Sequence, residues 1–242
     1  MLIFLTISAI STSIISGIIG MGGGVLLISL MSFFLPYHLI IPIHGVVQLV
    51  SNSSRSFYLR KNILWSYVYP FLFGAPIGLI ISFIILTELP NSSYYDLILA
   101  LFILYVVFKP ARFPELRLKR KGWFTLGIAS GIQGPLLGAT GPLIAPFFTR
   151  TDITKEQLVA TKAALQIITH FLKIPLFLSL SFKYQDHLSL TGAMVVGAII
   201  GTVIGVKILS KIKEDYFKFL FKFVLFMASL RLFYKFYQGA FL

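Results

Sequence analysis

Two glycine-rich stretches decide the fold: Gly17-Ile-Ile-Gly-Met-Gly-Gly-Gly24 and Gly131-Ile-Gln-Gly-Pro-Leu-Leu-Gly-Ala-Thr-Gly-Pro142. Each interrupts an apolar segment at a corresponding place in one half of the chain. Three consecutive glycines disfavour a continuous helix by roughly 1 kcal/mol each. In a membrane protein, paired breaks of this kind are typical of a substrate site between two structural repeats.

The composition predicts an all-α integral membrane protein. Hydrophobic residues make up 57% of the 242 residues and charged residues 12%, whereas a soluble domain carries about a quarter charged residues. The absence of cysteine excludes disulfide and iron–sulfur chemistry. We attribute the net charge of +13 to basic residues beside anionic lipid and expect no nucleic-acid binding. No Lys or Arg precedes Arg55, so we expect the start of the chain to belong to the fold rather than to a signal peptide.

Eight apolar segments are expected: 2–35, 39–59, 63–86, 94–109, 122–149, 155–181, 187–210 and 216–238. The first and the fifth are broken at their glycines, and Thr154-Lys-Glu-Gln157 has the pattern of a capping box at the start of the sixth. The basic stretch 109–121 is the strongest candidate for a cytoplasmic loop. We therefore divide the chain into a first membrane repeat, 1–110, a basic cytoplasmic linker, 111–121, and a second membrane repeat, 122–242.

Loop charge indicates how the second half is threaded. If 122–149 crossed the bilayer once, the lysine cluster at 207–218 would lie outside, against the preference of basic residues for the cytoplasmic side. A hairpin of two short helices at 122–149 puts that cluster inside. By analogy 2–35 is a hairpin entering from outside, so each half is a hairpin plus three crossings and the second repeat is inverted. Eight ordinary crossings remain an alternative, because loop charge is a bias.

The two halves align with a constant shift of 118 residues and no gap. The matched pairs are Gly20 with Gly138, Gly23 with Gly141, His44 with Lys162, Gln48 with Gln166, Arg55 with Lys173 and Gly74 with Gly192. Identity between the halves is low, so the coincidence of glycines and rare polar residues carries the argument.

Two matched polar stripes are the second strong signal. They consist of His44, Gln48, Asn52 and Arg55 in one half and of Lys162, Gln166, His170 and Lys173 in the other. The spacing puts each set on one helix face, where intramembrane polar groups usually mark a cavity, and neither set contains Asp or Glu. The basic side chains could instead reach an interface, Lys162 above all, and the glutamines could bond to neighbouring helices.

The breaks are suited to binding an anion. A helix that starts near Gly24 would present free N–H groups and its positive end at mid-membrane depth, and Pro142 suits the first position of another helix. The candidate substrate-binding residues are Gly22, Gly23, Gly24, His44, Gln48, Asn52, Arg55, Thr140, Gly141, Gln166, His170 and Lys173. No histidines have metal-ligand spacing and no catalytic motif occurs, so we expect neither a metal, nor a cofactor, nor an enzyme.

These motifs resemble the sulfite exporter TauE/SafE family of membrane transporters. The resemblance rests on Gly17–Val25 and its counterpart 134–146, on the stripe from His44 to Arg55, and on 161–170 with Lys173-Ile-Pro175. It implies movement of small sulfur-containing anions, such as sulfite and organosulfonates, across the bacterial inner membrane.

The leading hypothesis is therefore a secondary transporter, with export as the favoured direction and alternating access as its mechanism. Its partners would be a small anion, the lipid bilayer and a coupling proton or other ion, since histidine can titrate near neutral pH. A homodimer is one open arrangement. The alternatives are a passive anion channel, uptake of a related anion such as thiosulfate, and an intramembrane enzyme.

Overall fold

The computed structural model describes residues 1–20, 22–88, 94–108, 116–148, 151–209, 226–227 and 229–239. Every regular element in this part of the chain is helical, which confirms the all-α fold class. The helices are α1 (Leu2–Ile19), α2 (Gly23–Ser32), α3 (Tyr37–Tyr58), α4 (Trp65–Glu88), α5 (Tyr94–Phe108), α6 (Arg120–Leu137), α7 (Gly141–Ile144), α8 (Lys155–Ser179) and α9 (Leu188–Lys207). Single 3₁₀ turns span Arg60–Asn62, Ala145–Phe148 and Tyr184–His187.

Three of these helical stretches are long and apolar enough to cross a membrane: Leu2–Ile19, Trp65–Glu88 and Tyr184–Lys207. Shorter apolar helices span Gly23–Ser32 and Tyr94–Phe108. The outer faces of α4 and α9 expose large apolar side chains such as Phe73, Ile80 and Ile200. Apolar surface of this extent is characteristic of contact with lipid.

Both predicted breaks are present and have the same local geometry. Helix α1 ends at Ile19, and Gly20 follows with φ 73° and its N–H bonded to the Ser16 carbonyl at 3.0 Å. Helix α6 ends at Leu137, and Gly138 follows with φ 77° and its N–H bonded to the Gly134 carbonyl at 2.9 Å. Positive φ favours glycine because a side chain is strained there. The two breaks thus correspond at the predicted shift of 118 residues.

The arms of the two hairpins are unequal in length. Helices α1 and α6 have 18 residues each, or about 27 Å at 1.5 Å per residue. The returning arms are the 10-residue α2 and the four-residue α7 with its 3₁₀ turn. A methyl group on Gly23 would overlap with the Ser16 side chain and the Thr12 carbonyl, so α2 starts tightly against α1. The expectation of two short arms therefore holds only for the returning arm.

The two most extensive helix–helix contacts are those of α4 with α6 and of α9 with α1. In both pairs, glycines pack closely against the backbone of the partner helix. Gly74 lies against the Phe124 carbonyl and Gly78 against the Ile128 carbonyl. At the equivalent places in the other pair, Gly197 lies against the Thr6 carbonyl and Gly201 against the Ile10 carbonyl. Small residues allow such close approach of helices in membranes.

These contacts correct the predicted pairing of Gly74 with Gly192. Thr6 and Phe124 are 118 residues apart, but the glycines that face them, Gly74 and Gly197, are 123 apart. Gly192 has open space where a Cβ would be. The gap-free shift therefore fails before α9, where the second half has five more residues around the 3₁₀ turn Tyr184–His187.

Helices α3 and α8 pack against each other at the centre of the molecule. A Cβ on Gly20 would lie 2.8 Å from Val159 Cγ2 of α8, and a Cβ on Gly138 would lie 2.9 Å from Ile41 Cδ1 of α3. Val159 is Ile41 shifted by 118 residues. Each break thus packs against the central helix of the opposite half, and the contacts exchange as they do across a two-fold axis.

The predicted capping box is confirmed, since the Thr154 side chain accepts from the Gln157 N–H and the Gln157 side chain accepts from the Thr154 N–H. Some expectations fall outside the described residues. These are the linker before residue 116, the lysines of the 207–218 cluster after Lys207, and the start of the last apolar segment.

Candidate functional site

A small cavity lies where the two breaks and the two central helices meet. Its polar or backbone lining includes Ser16, Gly20, Gly22 and Gly24 from the first hairpin, Ala139, Gly141 and Pro142 from the second, Gln48 from α3, and Lys162 and Gln166 from α8. The centre of a water-sized sphere can occupy about 10 Å³ of it, which is room for about one water molecule. In this conformation the cavity is closed down around its lining groups.

The structure brings five of the twelve predicted site residues to this cavity: Gly22, Gly24, Gln48, Gly141 and Gln166. A Cβ on Gly24 would lie 3.7 Å from Gln48 Oε1, and a Cβ on Gly141 would lie 3.4 Å from Gln166 Nε2. Gln48 thus lies beside the second residue of α2, and Gln166 lies beside the first residue of α7. In each half of the chain, the glutamine is next to the start of the returning arm of the hairpin. The N-terminus of α2 opens here, where the first helical N–H groups have no acceptor within the helix.

Lys162 is the cation that lines the cavity, although it is not among the candidate substrate-binding residues predicted from the sequence. Its side chain is 1% exposed, and its Nζ lies 3.9 Å from where a Cβ on Gly141 would be. The alternative in which Lys162 reaches an interface is therefore wrong. Its place on the polar stripe, one turn before Gln166, is the sequence signal that could have identified it. Ser16, one turn before Gly20, also lines the cavity without having been predicted.

His44 and Lys173 do not line the cavity. They donate hydrogen bonds to backbone carbonyls of the two breaks. His44 Nε2 donates to the Gly24 carbonyl at 3.0 Å. Lys173 Nζ donates to the Gly138 carbonyl and also to His170 Nδ1 at 3.3 Å. The two imidazoles are in edge contact, with ring centroids 5.6 Å apart. These three residues were predicted to bind the substrate, but none of them lines the cavity. His44 and Lys173 bond to backbone carbonyls of the breaks, and His170 contacts the side chains of Lys173 and His44.

Arg55 and Asn52 form a separate polar cluster. Arg55 Nη1 donates to Asn52 Oδ1 at 3.1 Å and Nη2 donates to Ser51 Oγ at 3.2 Å. Ser51 in turn bonds to Thr202 of α9 at 2.9 Å and to Ser13 of α1 at 3.2 Å. The guanidinium is 2% exposed, so it neither reaches an interface nor lines the cavity.

The remaining predicted residues, Gly23 and Thr140, are buried by packing within the protein and do not line the cavity. Gly23 is packed against α1, as described above. Thr140 is fully buried, and its hydroxyl lies 3.5 Å from that of Thr169 on α8. Among the described residues, no group of three or more His, Asp or Glu side chains is placed to hold a metal ion.

The family model described as sulfite exporter TauE/SafE matches residues 5–232, which include both breaks, both polar stripes and the helices named above except the first three residues of α1. The chain belongs to the TauE/SafE family. No curated protein and no solved structure matches it. TauE/SafE membership, together with the apolar helices, makes the chain an integral multi-pass membrane transporter.

The electrostatics of this TauE/SafE chain favour a negatively charged ligand. Lys162 and Lys173 are buried at the breaks, and Arg55 is buried in the separate cluster on α3. The hydrogen-bond partners of Arg55 and Lys173 are neutral, and neither polar stripe carries Asp or Glu. A buried charge is costly unless an opposite charge compensates it. Only Lys162 among these cations reaches the cavity, so an anion there would bind next to Lys162.

Proposed function

We propose that the protein is a secondary transporter that exports a small sulfur-containing anion, such as sulfite or an organosulfonate, across the bacterial inner membrane. One observation carries the proposal: a buried lysine, Lys162, lines the cavity where the two glycine breaks meet. Membership of a family of sulfite exporters supports the substrate class.

The anion would be held by three kinds of donor. Lys162 supplies a positive charge, and charge-assisted hydrogen bonds are about twice as strong as neutral ones. Gln48 and Gln166 supply side-chain amides from opposite central helices. The N-terminus of α2, at Gly22 to Gly24, supplies backbone N–H groups and the positive end of the helix dipole. Glycine leaves these N–H groups accessible to the oxygens of the ligand.

Alternating access would come from two inverted repeats. Support comes from the matched left-handed glycines, Gly20 and Gly138, from the exchange of contacts between the halves, and from the loop charges. The glycine packing joins α1 to α9 and α6 to α4, so each close pair contains one helix from each repeat. We expect each pair to move as a unit, with the breaks and the cavity between them.

The size of the cavity supports a transporter over a passive channel. A conducting channel needs a continuous open path, whereas the cavity between the breaks has room for about one water molecule. An anion with three oxygens can enter only if the lining groups move apart. Such a movement is the event that alternating access requires.

Flux into proteoliposomes tests the proposal. Purified protein is reconstituted, and uptake of labelled sulfite, sulfoacetate, taurine and thiosulfate is measured with and without the same anion inside. The wild type should transport at least one of them, and unlabelled anion on the far side should accelerate exchange. Lys162→Met should lower the flux at least tenfold, whereas Lys183→Met, at an exposed loop lysine, should not. No flux of any of the four by folded protein would overturn the substrate class.

A further inference from the structure

Three side chains connect the carbonyl groups of the two breaks, and we call His44, His170 and Lys173 the histidine bridge. It begins with His44 Nε2 on the Gly24 carbonyl at 3.0 Å. It continues through the edge contact of the two imidazoles and the 3.3 Å contact of His170 Nδ1 with Lys173 Nζ. It ends with Lys173 Nζ on the Gly138 carbonyl. The bridge therefore contacts both breaks. Its two backbone acceptors are Gly24, which lines the cavity, and Gly138, which precedes the lining residue Ala139.

The hydrogen bonds assign the protons of the bridge. A carbonyl only accepts, so His44 carries a hydrogen on Nε2. Lys173 donates to both of its partners, so His170 Nδ1 accepts and its hydrogen is on Nε2. His44 Nδ1 is then a basic nitrogen that is fully buried and has no partner among the described residues. A buried polar atom without a partner is costly and calls for a reason.

We propose that His44 Nδ1 is the proton-binding site of the transporter, filled when an anion occupies the adjacent cavity. The inference rests on the proposed function. His44 donates a hydrogen bond to the carbonyl of Gly24, and Gly24 lines the cavity. Only this one residue would therefore separate a bound anion from the imidazole. His170 is not the site, because a proton on its Nδ1 would place two cations 3.3 Å apart.

The charges around His44 explain why proton and anion bind together. The titratable groups that face it are His170 and Lys173 of α8, and Lys162 stands across the cavity. The sequences of α1, α2 and α7 contain no titratable side chain, and α6 has only Arg120 and Lys121, at its start. In α9 the titratable residue is Lys207, directly after the residues that pack against Gly17 of the first break. An imidazolium at His44 adds a positive charge that no carboxylate of these helices offsets among the residues that the structure describes. An anion in the cavity supplies the missing negative charge, and by linkage each ligand increases the affinity for the other.

Calorimetric counting of protons tests the inference. Binding of sulfoacetate and of thiosulfate, whose own acid groups do not titrate near neutral pH, is measured in buffers of different ionisation enthalpy at about pH 7. The wild type should take up about one proton per anion bound, and its affinity should rise up to about tenfold for each unit that the pH falls. This measurement on the wild type needs no variant to fold.

Two substitutions separate the proton from the hydrogen bond. His44→Gln keeps a donor for the Gly24 carbonyl but has no titratable nitrogen, so it should bind the anion with no proton uptake. His38→Gln, at an exposed histidine on the same helix, should take up the proton like the wild type. Anion binding by the wild type without proton uptake, or uptake that persists in His44→Gln, would overturn the inference and leave the proposed function standing. Failure of the folded wild type to bind either anion would count against both.

Discussion

Lys173 donates a hydrogen bond to the carbonyl of Gly138, the left-handed glycine of the second break. Arg55, its counterpart 118 residues earlier, does not bond to the equivalent Gly20 but to Ser51 and Asn52 of its own helix. The two halves of the chain thus hold their breaks differently in one conformation. Repeats that exchange conformations are the basis of alternating access.

This asymmetry predicts that Lys173 stabilises the second break specifically. Lys173→Met removes the donor to the Gly138 carbonyl while it preserves the volume of the side chain. Amide hydrogen exchange over residues 134–142 should become faster, because local opening there loses a hydrogen bond. Exchange over residues 16–25 should change less. Equal acceleration at both breaks, or none at either, would contradict the different roles of Lys173 and Arg55.

The left-handed geometry of Gly138 predicts a cost for any side chain there. In Gly138→Ala the new methyl group would stand at φ 77° and within 2.6 Å of Ile28 Cδ1. We expect thermal unfolding in detergent to show a loss of about 1–3 kcal/mol. Gly192→Ala is the matched control, since the site is helical with open space around it, and it should be neutral or stabilising by up to about 1 kcal/mol. Equal stability of the two variants would refute the assigned geometry.

The position of Gln166 predicts a direct contribution to anion affinity. Gln166→Leu removes an amide donor from the cavity, and a hydrogen bond to a charged group contributes about 1.5–3 kcal/mol. The dissociation constant for a transported anion should rise about tenfold or more. Gln185→Leu, at an exposed residue of a 3₁₀ turn, should leave it unchanged. An unchanged affinity in Gln166→Leu would remove this residue from the site.

The inverted arrangement predicts which loops share a side of the membrane. The chain lacks cysteine, so single cysteines can be introduced at exposed positions without a background. An impermeant maleimide applied to intact cells should label His38→Cys and Gln185→Cys, and it should label Lys61→Cys and Thr151→Cys only after the cells are opened. Labelling of His38→Cys and Gln185→Cys from opposite sides would favour eight ordinary crossings over inverted hairpins.

Local signals in the sequence predicted much of the fold. The end of α1 and of α6 at matched glycines, the start of α2 at Gly23 and the capping box at Thr154 all follow from short-range backbone preferences. The lengths of the hairpin arms and the five extra residues before α9 could not be predicted from these local preferences. They depend on how the glycine faces of α9 and α4 dock on the backbones of α1 and α6, which is a tertiary property.

The candidate site was predicted in outline and corrected in detail. The polar stripes identified the two helix faces that meet. Side chains on one helix face can, however, point either into the cavity or towards the backbone of the breaks. Gln48, Lys162 and Gln166 turn to the cavity, whereas His44 and Lys173 bond to backbone carbonyls of the breaks. Spacing along one helix cannot show which neighbour each side chain meets. For that reason the sequence favoured Arg55, His170 and Lys173 as the source of positive charge, whereas Lys162 is the residue that lines the cavity and that we propose beside the anion.

The position of the anion is tested most directly by diffraction from crystals soaked in selenite, which has the shape of sulfite and a strong anomalous signal from selenium. We expect a peak between Gly24 and Gly141, roughly 4 Å from Lys162 Nζ if the selenite oxygens accept its hydrogen bonds. The peak should be lost in Lys162→Met. Selenite bound by the wild type only at other places, or still bound between the breaks in Lys162→Met, would contradict an anion held there by Lys162.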